Sequence, residues 1–288
     1  MEGRTGVKAR VVLIAAVVAA VTSLPYVYGF LSAGPDTIYT GLMYDVADHA
    51  QYWSWVTASR DGLFISNTMT PEANPPIFLN PMMWALAQVQ TAFWLSFAAL
   101  FQFWRLLATV VLVAGLVAFL RALVPDAAQR RTALWLSLAG AGFGWVLVAA
   151  KIALRLPDAP FPTDLYTVEP NTFWGLLAYP YIPLAQGLLL VSVLAVWRAY
   201  RRPGAAAYVL AGLASLGLAV VHAYDLISLY AAIALFALAL LVRDRRLPRA
   251  LIGTGVVVAV FSAPMAFYFR SLTAYDPLWR SILEETGR

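Results

Sequence analysis

Residues 11–30, VVLIAAVVAAVTSLPYVYGF, carry no charged side chain over twenty consecutive positions. A helix needs roughly 17–25 mainly apolar residues to cross the hydrocarbon core of a bilayer, so this run predicts a membrane span and sets the fold class. It is longer than the ~7–15 apolar residues of a secretory leader, and Leu31-Ser32-Ala33 is a weak cleavage site, so an uncleaved first span is expected. The pattern then recurs down the chain. Phe103–Leu120, Thr132–Ala150, Pro183–Trp197, Ala205–Val221, Leu226–Val242 and Ala250–Phe269 meet or approach the same length, giving about seven expected spans. Pro180 and Pro183 blur the start of the shortest of these. Ile77–Leu100 is also apolar, but with Gln88, Gln90 and Gln102 in and beside it reads as a re-entrant or interface-lying helix followed by a turn.

Composition agrees with this reading. The chain is 61% hydrophobic and only 12% charged, more apolar surface than a soluble domain hides. The expectation is an all-α, polytopic transmembrane helical bundle forming a single domain over residues 1–288. The absence of cysteine excludes disulfide scaffolds, thiolate metal sites and cysteine nucleophiles. The net charge of +5 lies in short basic clusters between apolar runs, which argues against nucleic acid as a partner.

Those clusters also give an orientation. Segments 1–10, 121–131, 198–203 and 243–249 carry +2, +2, +3 and +3, whereas 31–105, 151–169, 222–225 and 270–288 carry −3, −1, −1 and 0. Every second connection is basic, which by the positive-inside rule predicts a cytoplasmic N-terminus and an external C-terminus. The external parts are then 31–104, 151–182 and a short tail, 270–288.

The polar chemistry is concentrated outside. The first external segment is far longer than a helix–helix connection requires, and such loops tend to carry function. It holds Asp36, Asp45, Asp48, Asp61 and Glu72. Within 45–62, DVADHAQYWSWVTASRDG, the residues Tyr52, Trp55, Val56 and Ser59 recur at helical spacing. With Trp and Tyr favouring the membrane–water boundary, residues 48–60 are expected to form an interfacial helix. Asp48 and His49 fall at its head, where a carboxylate caps free N–H groups, so capping alone also accounts for Asp48. The second loop contributes Asp164 and Glu169, and the tight turn HAYD contributes His222 and Asp225. Arg105 and Arg270 reach the same face. Each has an ordinary structural explanation: Arg105 snorkelling to lipid phosphate, His222 and Asp225 finishing and starting helices. Their convergence on one face is what suggests a site.

No P-loop, dinucleotide fingerprint, H-E-x-x-H or G-x-S-x-G motif occurs. The glycine-rich run Ala139–Gly144 lies inside an expected span and reads as close helix packing rather than phosphate binding. A group-transfer donor would therefore have to arrive at the membrane, for example on a lipid.

In order and placement these residues resemble the GT-C superfamily of polytopic glycosyltransferases, in a poorly characterised bacterial branch. The run D-x-x-x-Y…G…T-x-E…R appears as Asp48, Tyr52, Gly62, Thr70, Glu72 and Arg105. The second-loop D-L-[WY]…E appears as Asp164, Leu165, Tyr166 and Glu169, and H-P-[YF]-D as His222, Ala223, Tyr224 and Asp225. Ala223 stands where relatives carry proline, and Tyr181 where they tend to carry histidine. Relatives also continue with further spans, so a short form or part of a longer protein is expected.

The resemblance implies sugar transfer, hexosyl or pentosyl, from a polyprenyl-phosphate carrier to a hydroxyl of a lipid, glycan or protein acceptor. This would take place at the outer face of a bacterial inner membrane. It implies Asp48 as general base with Asp45 as rival, and Arg105 near the lipid phosphate. Glu72, Asp164 and Glu169 would orient hydroxyls or hold Mg²⁺ or Mn²⁺ where a member needs a metal, with His49, His222 and Asp225 as further substrate-binding candidates. A small-molecule or lipid transporter is the competing reading; no internal repeat supports it, and the polar residues gather near one face. A catalytically silent membrane scaffold is a third.

Overall fold

The computed structural model describes residues 4–140, 142–156, 160–167 and 171–286. In chain order the elements are α1 (Arg4–Ser32), α2 (Val46–Ala58), β1 (Phe64–Ile65), β2 (Phe78–Leu79), α3 (Pro81–Phe93), α4 (Phe97–Leu123), α5 (Ala127–Ala139), α6 (Gly144–Ala153), α7 (Thr163–Tyr166), α8 (Thr172–Ala178), α9 (Tyr181–Arg201), α10 (Ala205–Val221), α11 (Asp225–Asp244), α12 (Arg249–Tyr275) and α13 (Pro277–Thr286). The described residues are all-α apart from one two-stranded ladder.

Among the described residues five helices are long and apolar enough to cross a membrane: Gly6–Ser32, Phe97–Leu123, Tyr181–Arg201, Asp225–Asp244 and Arg249–Tyr275. The number rises to six if α5 and α6, bent by 50° at a short break, form one span. The seventh expected span corresponds to α10, whose 17 residues fall short of the others. At ~1.5 Å per residue it is about 26 Å long, a few ångströms less than a typical hydrocarbon core.

Contacts divide the chain into two compact units, Met1–Tyr44 with Phe101–Gly187, and Asp45–Leu100 with Leu188–Arg288. In the first unit, Gly187 lets the start of α9 lie directly on α4. A Cβ there would come within 2.9 Å of the Val111 and Leu112 backbone. Small residues serve this purpose where helices pack without a hydrophobic driving force. The Tyr26 hydroxyl donates to the Leu177 carbonyl at 2.6 Å, fastening α1 to α8.

The break between α5 and α6 corrects the reading of the glycine run. Gly142 adopts φ +62°, and a Cβ on Gly142 or Gly144 would lie 2.1 Å from an Asp164 carboxylate oxygen. These glycines make room for a side chain rather than for another helix.

In the second unit, β1 and β2 pair antiparallel, with Ile65 opposite Phe78. Ile65, Phe78, Leu272 and Trp279 form a buried cluster flanked by Trp55 and Phe269. The Tyr268 hydroxyl of α12 accepts from the Leu79 N–H at 2.7 Å and donates to the Ile77 carbonyl, pinning β2 at its exposed edge. The expected C-terminal tail is thus a continuation of α12 followed by a further helix. Asp276 caps α13 by accepting from Leu278 and Trp279 N–H groups, both at 3.0 Å.

Candidate functional site

The helix expected over 48–60 begins earlier, and its cap is Asp45 rather than Asp48. Asp45 sits in the left-handed region (φ 43°), a conformation that aspartate tolerates better than most residues. Its carboxylate accepts from the Asp48 N–H at 3.4 Å. Asp48 therefore occupies the first turn of α2 with its own carboxylate directed away from the capping role. It lies on the exposed side of the helix. Partial burial by its surroundings raises its pKa above the ordinary carboxylate range, and the nearby negative charge of Asp45 adds to the effect.

The opposite side of α2 is packed into protein. His49, Val56 and Ser59 are buried. His49 rests 5.8 Å from the Tyr52 ring, and Trp55 meets Phe78 edge-on at 5.2 Å. Of the aromatic stripe read from the sequence, at least this part faces the unit's own core.

Glu72 belongs to the loop between the strands. Asn67 and Asn74 hold that loop: the Asn67 N–H donates to Asn74 Oδ1 at 2.6 Å, and Asn74 Nδ2 donates to the Asn67 and Glu72 carbonyls at 3.0 and 2.9 Å. Thr70 Oγ1 donates to the Glu72 carboxylate at 3.3 Å. Thr68 Oγ1 joins the loop to α2 through Gln51 and Ser54, at 3.1 and 2.7 Å. Asp45, Asp48 and Glu72 are thus carried by one helix and the loop tied to it.

His222 and Asp225 form a pair across the turn between α10 and α11, with Nδ1 and Oδ2 3.2 Å apart. The His222 N–H donates to the Leu218 carbonyl at 2.8 Å, closing α10. Asp225 is the first residue inside α11, and the cap position expected for it belongs to Tyr224.

In the first unit, Arg105 is 1% exposed, on α4. Nη1 donates to Thr22 Oγ1 at 2.7 Å, Nη2 to Ser23 Oγ at 2.6 Å and Nε to Gln102 Oε1 at 2.9 Å. The guanidinium stacks 4.7 Å from the Tyr26 ring centroid. Snorkelling to lipid phosphate does not describe this side chain, because its charged end is bound inside the protein between α4 and α1. Tyr39, in the segment after α1, senses the same charge. Burial raises its pKa, and Arg105 opposes the rise.

Asp164 is also engaged. Its Oδ2 accepts from the Gly144 N–H at 2.7 Å and so caps α6, whose own N-cap residue, Phe143, makes no side-chain cap. Glu169 lies outside the described residues. Among the described residues no three of His, Cys, Asp and Glu come together in a way that would hold a metal ion. The hydroxyl partners of Arg105 were not found from the sequence. Thr22 and Ser23 interrupting an otherwise aliphatic span were the signal for them.

No family model matches the chain, and no curated protein or solved structure was found to match it.

Proposed function

We propose that the chain is a membrane glycosyltransferase that moves a sugar from a polyprenyl-phosphate carrier to an acceptor hydroxyl, at the outer face of a bacterial inner membrane. The observation that carries this reading is the division of labour between Asp45 and Asp48. Asp45 satisfies the helix end, and Asp48 is left exposed with its proton affinity raised. A more basic carboxylate, open to solvent at the head of an aromatic helix, suits a general base.

In the proposed step Asp48 accepts the proton of the acceptor O–H as the oxygen attacks the anomeric carbon. A new C–O bond forms there and the bond to the carrier phosphate breaks, the electron pair leaving with the phosphate and the configuration inverting. Glu72, on the loop tied to α2, orients hydroxyls in this reading. Arg105 acts in this reading by holding α1 to α4, and a direct phosphate contact rests on the resemblance alone.

The test is transfer from polyprenyl-phosphate hexose or pentose donors by the full chain in proteoliposomes. Asp48→Asn is expected to lower the rate about 10²–10⁴-fold. The rate of the unaltered protein should rise with pH along a limb lying above the ordinary carboxylate range, as Asp48 loses its proton. Asp45→Asn removes the neighbouring charge and should move that limb to lower pH. Full transfer by Asp48→Asn refutes the base assignment. A protein that transfers nothing yet exchanges labelled solute between the compartments is a transporter.

A further inference from the structure

We propose that the first unit carries a binding site for an anionic phospholipid, at the ends of its helices that carry the basic clusters 1–10 and 121–131. A cavity of about 370 Å³ opens where α1, α4 and α5 meet. Arg10, Arg121, Arg130 and Arg131 line it, and Leu134 and Trp135 stand beside them. None of the described residues lining it is acidic. Four arginines from three helices therefore line one space.

The shape selects a lipid over a free anion. The remaining lining is supplied by Ala127 of α5 and by aliphatic side chains of α1 and α4, two of the helices long and apolar enough to span a membrane. A headgroup phosphate can meet the arginines while the glycerol and the first methylenes cover the apolar part. Leu134 is buried, whereas Trp135 is 43% exposed, as suits an indole at a headgroup boundary. Arg130 is held in place. Its Nη1 donates to the Val124 and Pro125 carbonyls at 2.8 and 2.5 Å, bonds that do not use Nε or Nη2. That leaves a positioned fork of the kind that binds phosphate oxygens. Basic pockets between spanning helices recognise anionic headgroups through this combination of charge and apolar walls. The site is independent of the glycosyltransferase reading.

The experiment is native mass spectrometry of the full chain in neutral detergent, titrated with phosphatidylglycerol, phosphatidylcholine or inorganic phosphate. Phosphatidylglycerol is expected to remain bound one to one, with phosphatidylcholine and phosphate retained at least tenfold less. Arg131→Gln and Arg130→Gln should each weaken retention, by roughly fivefold per charge removed. Arg131→Gln keeps the test decisive if loss of Arg130's carbonyl bonds unfolds the connection. Arg202→Gln, in a basic connection that does not line the cavity, should leave retention unchanged. Equal retention of both lipids, binding of inorganic phosphate as strong as that of the lipid, or an equal effect of Arg202→Gln would each overturn the proposal.

Discussion

Replacing Thr22 by Val and Ser23 by Ala together would take away two of the oxygens that receive Arg105 without touching the arginine. Each hydroxyl has a double role. Thr22 Oγ1 donates to the Val18 carbonyl at 2.9 Å and accepts from Arg105, and Ser23 Oγ donates to the Ala19 carbonyl at 2.6 Å and accepts likewise. A hydrogen bond to a charged group contributes about 1.5–3 kcal/mol, so losing two should cost about 3–6 kcal/mol. Contact with the Tyr26 ring survives and pulls the expected value toward the lower end. Arg105→Met alone should cost far less, because it removes the buried charge together with its need for partners, and the hydroxyls keep their own helical carbonyls. Adding Arg105→Met to the double variant should accordingly restore most of the lost stability. Equilibrium unfolding in mixed micelles, followed by tryptophan fluorescence, yields the cycle. A Thr22→Val/Ser23→Ala protein within about 1 kcal/mol of the parent, or a triple variant no more stable than the double, would refute the account of Arg105 as a satisfied internal tie.

Gly144→Val would drive a Cβ into the Asp164 carboxylate, forfeiting a charge-assisted bond of about 1.5–3 kcal/mol. In an Asp164→Ala background the same change should cost clearly less, and equal costs in thermal unfolding would show that the carboxylate is not what the glycine accommodates. Trp279→Ala should destabilise the second unit by about 3–5 kcal/mol. It should also speed hydrogen exchange at the Leu79 N–H, which Tyr268 holds at the edge of the hairpin. Unchanged exchange there would separate α13 from the stability of the hairpin.

The spans were the most legible part of the fold, because length and hydropathy are local properties of the chain. Ala205–Val221 has the same bounds in sequence and structure, and the expected Leu226–Val242 lies within α11. What escaped depended on partners distant in sequence. The turn at Gly142 makes sense once Asp164, some twenty residues on, occupies the space above it. Two-residue strands leave too short a pattern to detect, and Phe64-Ile65 and Phe78-Leu79 pair across a polar loop. The C-terminal helix did leave a signal: Asp276-Pro277 is a cap followed by a proline suited to a first turn, and Leu278, Trp279, Ile282 and Leu283 follow at helical spacing. At the candidate site, the aspartates and the helix were legible, but which aspartate caps was not. Both positions suit the role chemically, and the backbone turn at Asp45 decided between them.

Phe78 and Trp279, tilted against each other with ring centroids 4.5 Å apart, belong to parts of the chain separated by about two hundred residues. A ribosome adding ~5–20 residues per second takes roughly 10–40 s to cover that interval. Throughout it the hairpin exists without the indole that closes its apolar side, and the intervening helices α3 to α12 are still being made. The early half of the second unit must therefore be sheltered during synthesis, by lipid or by the insertion machinery. Mutations that slow arrival of the last helix would then act on yield before they act on the finished protein's stability.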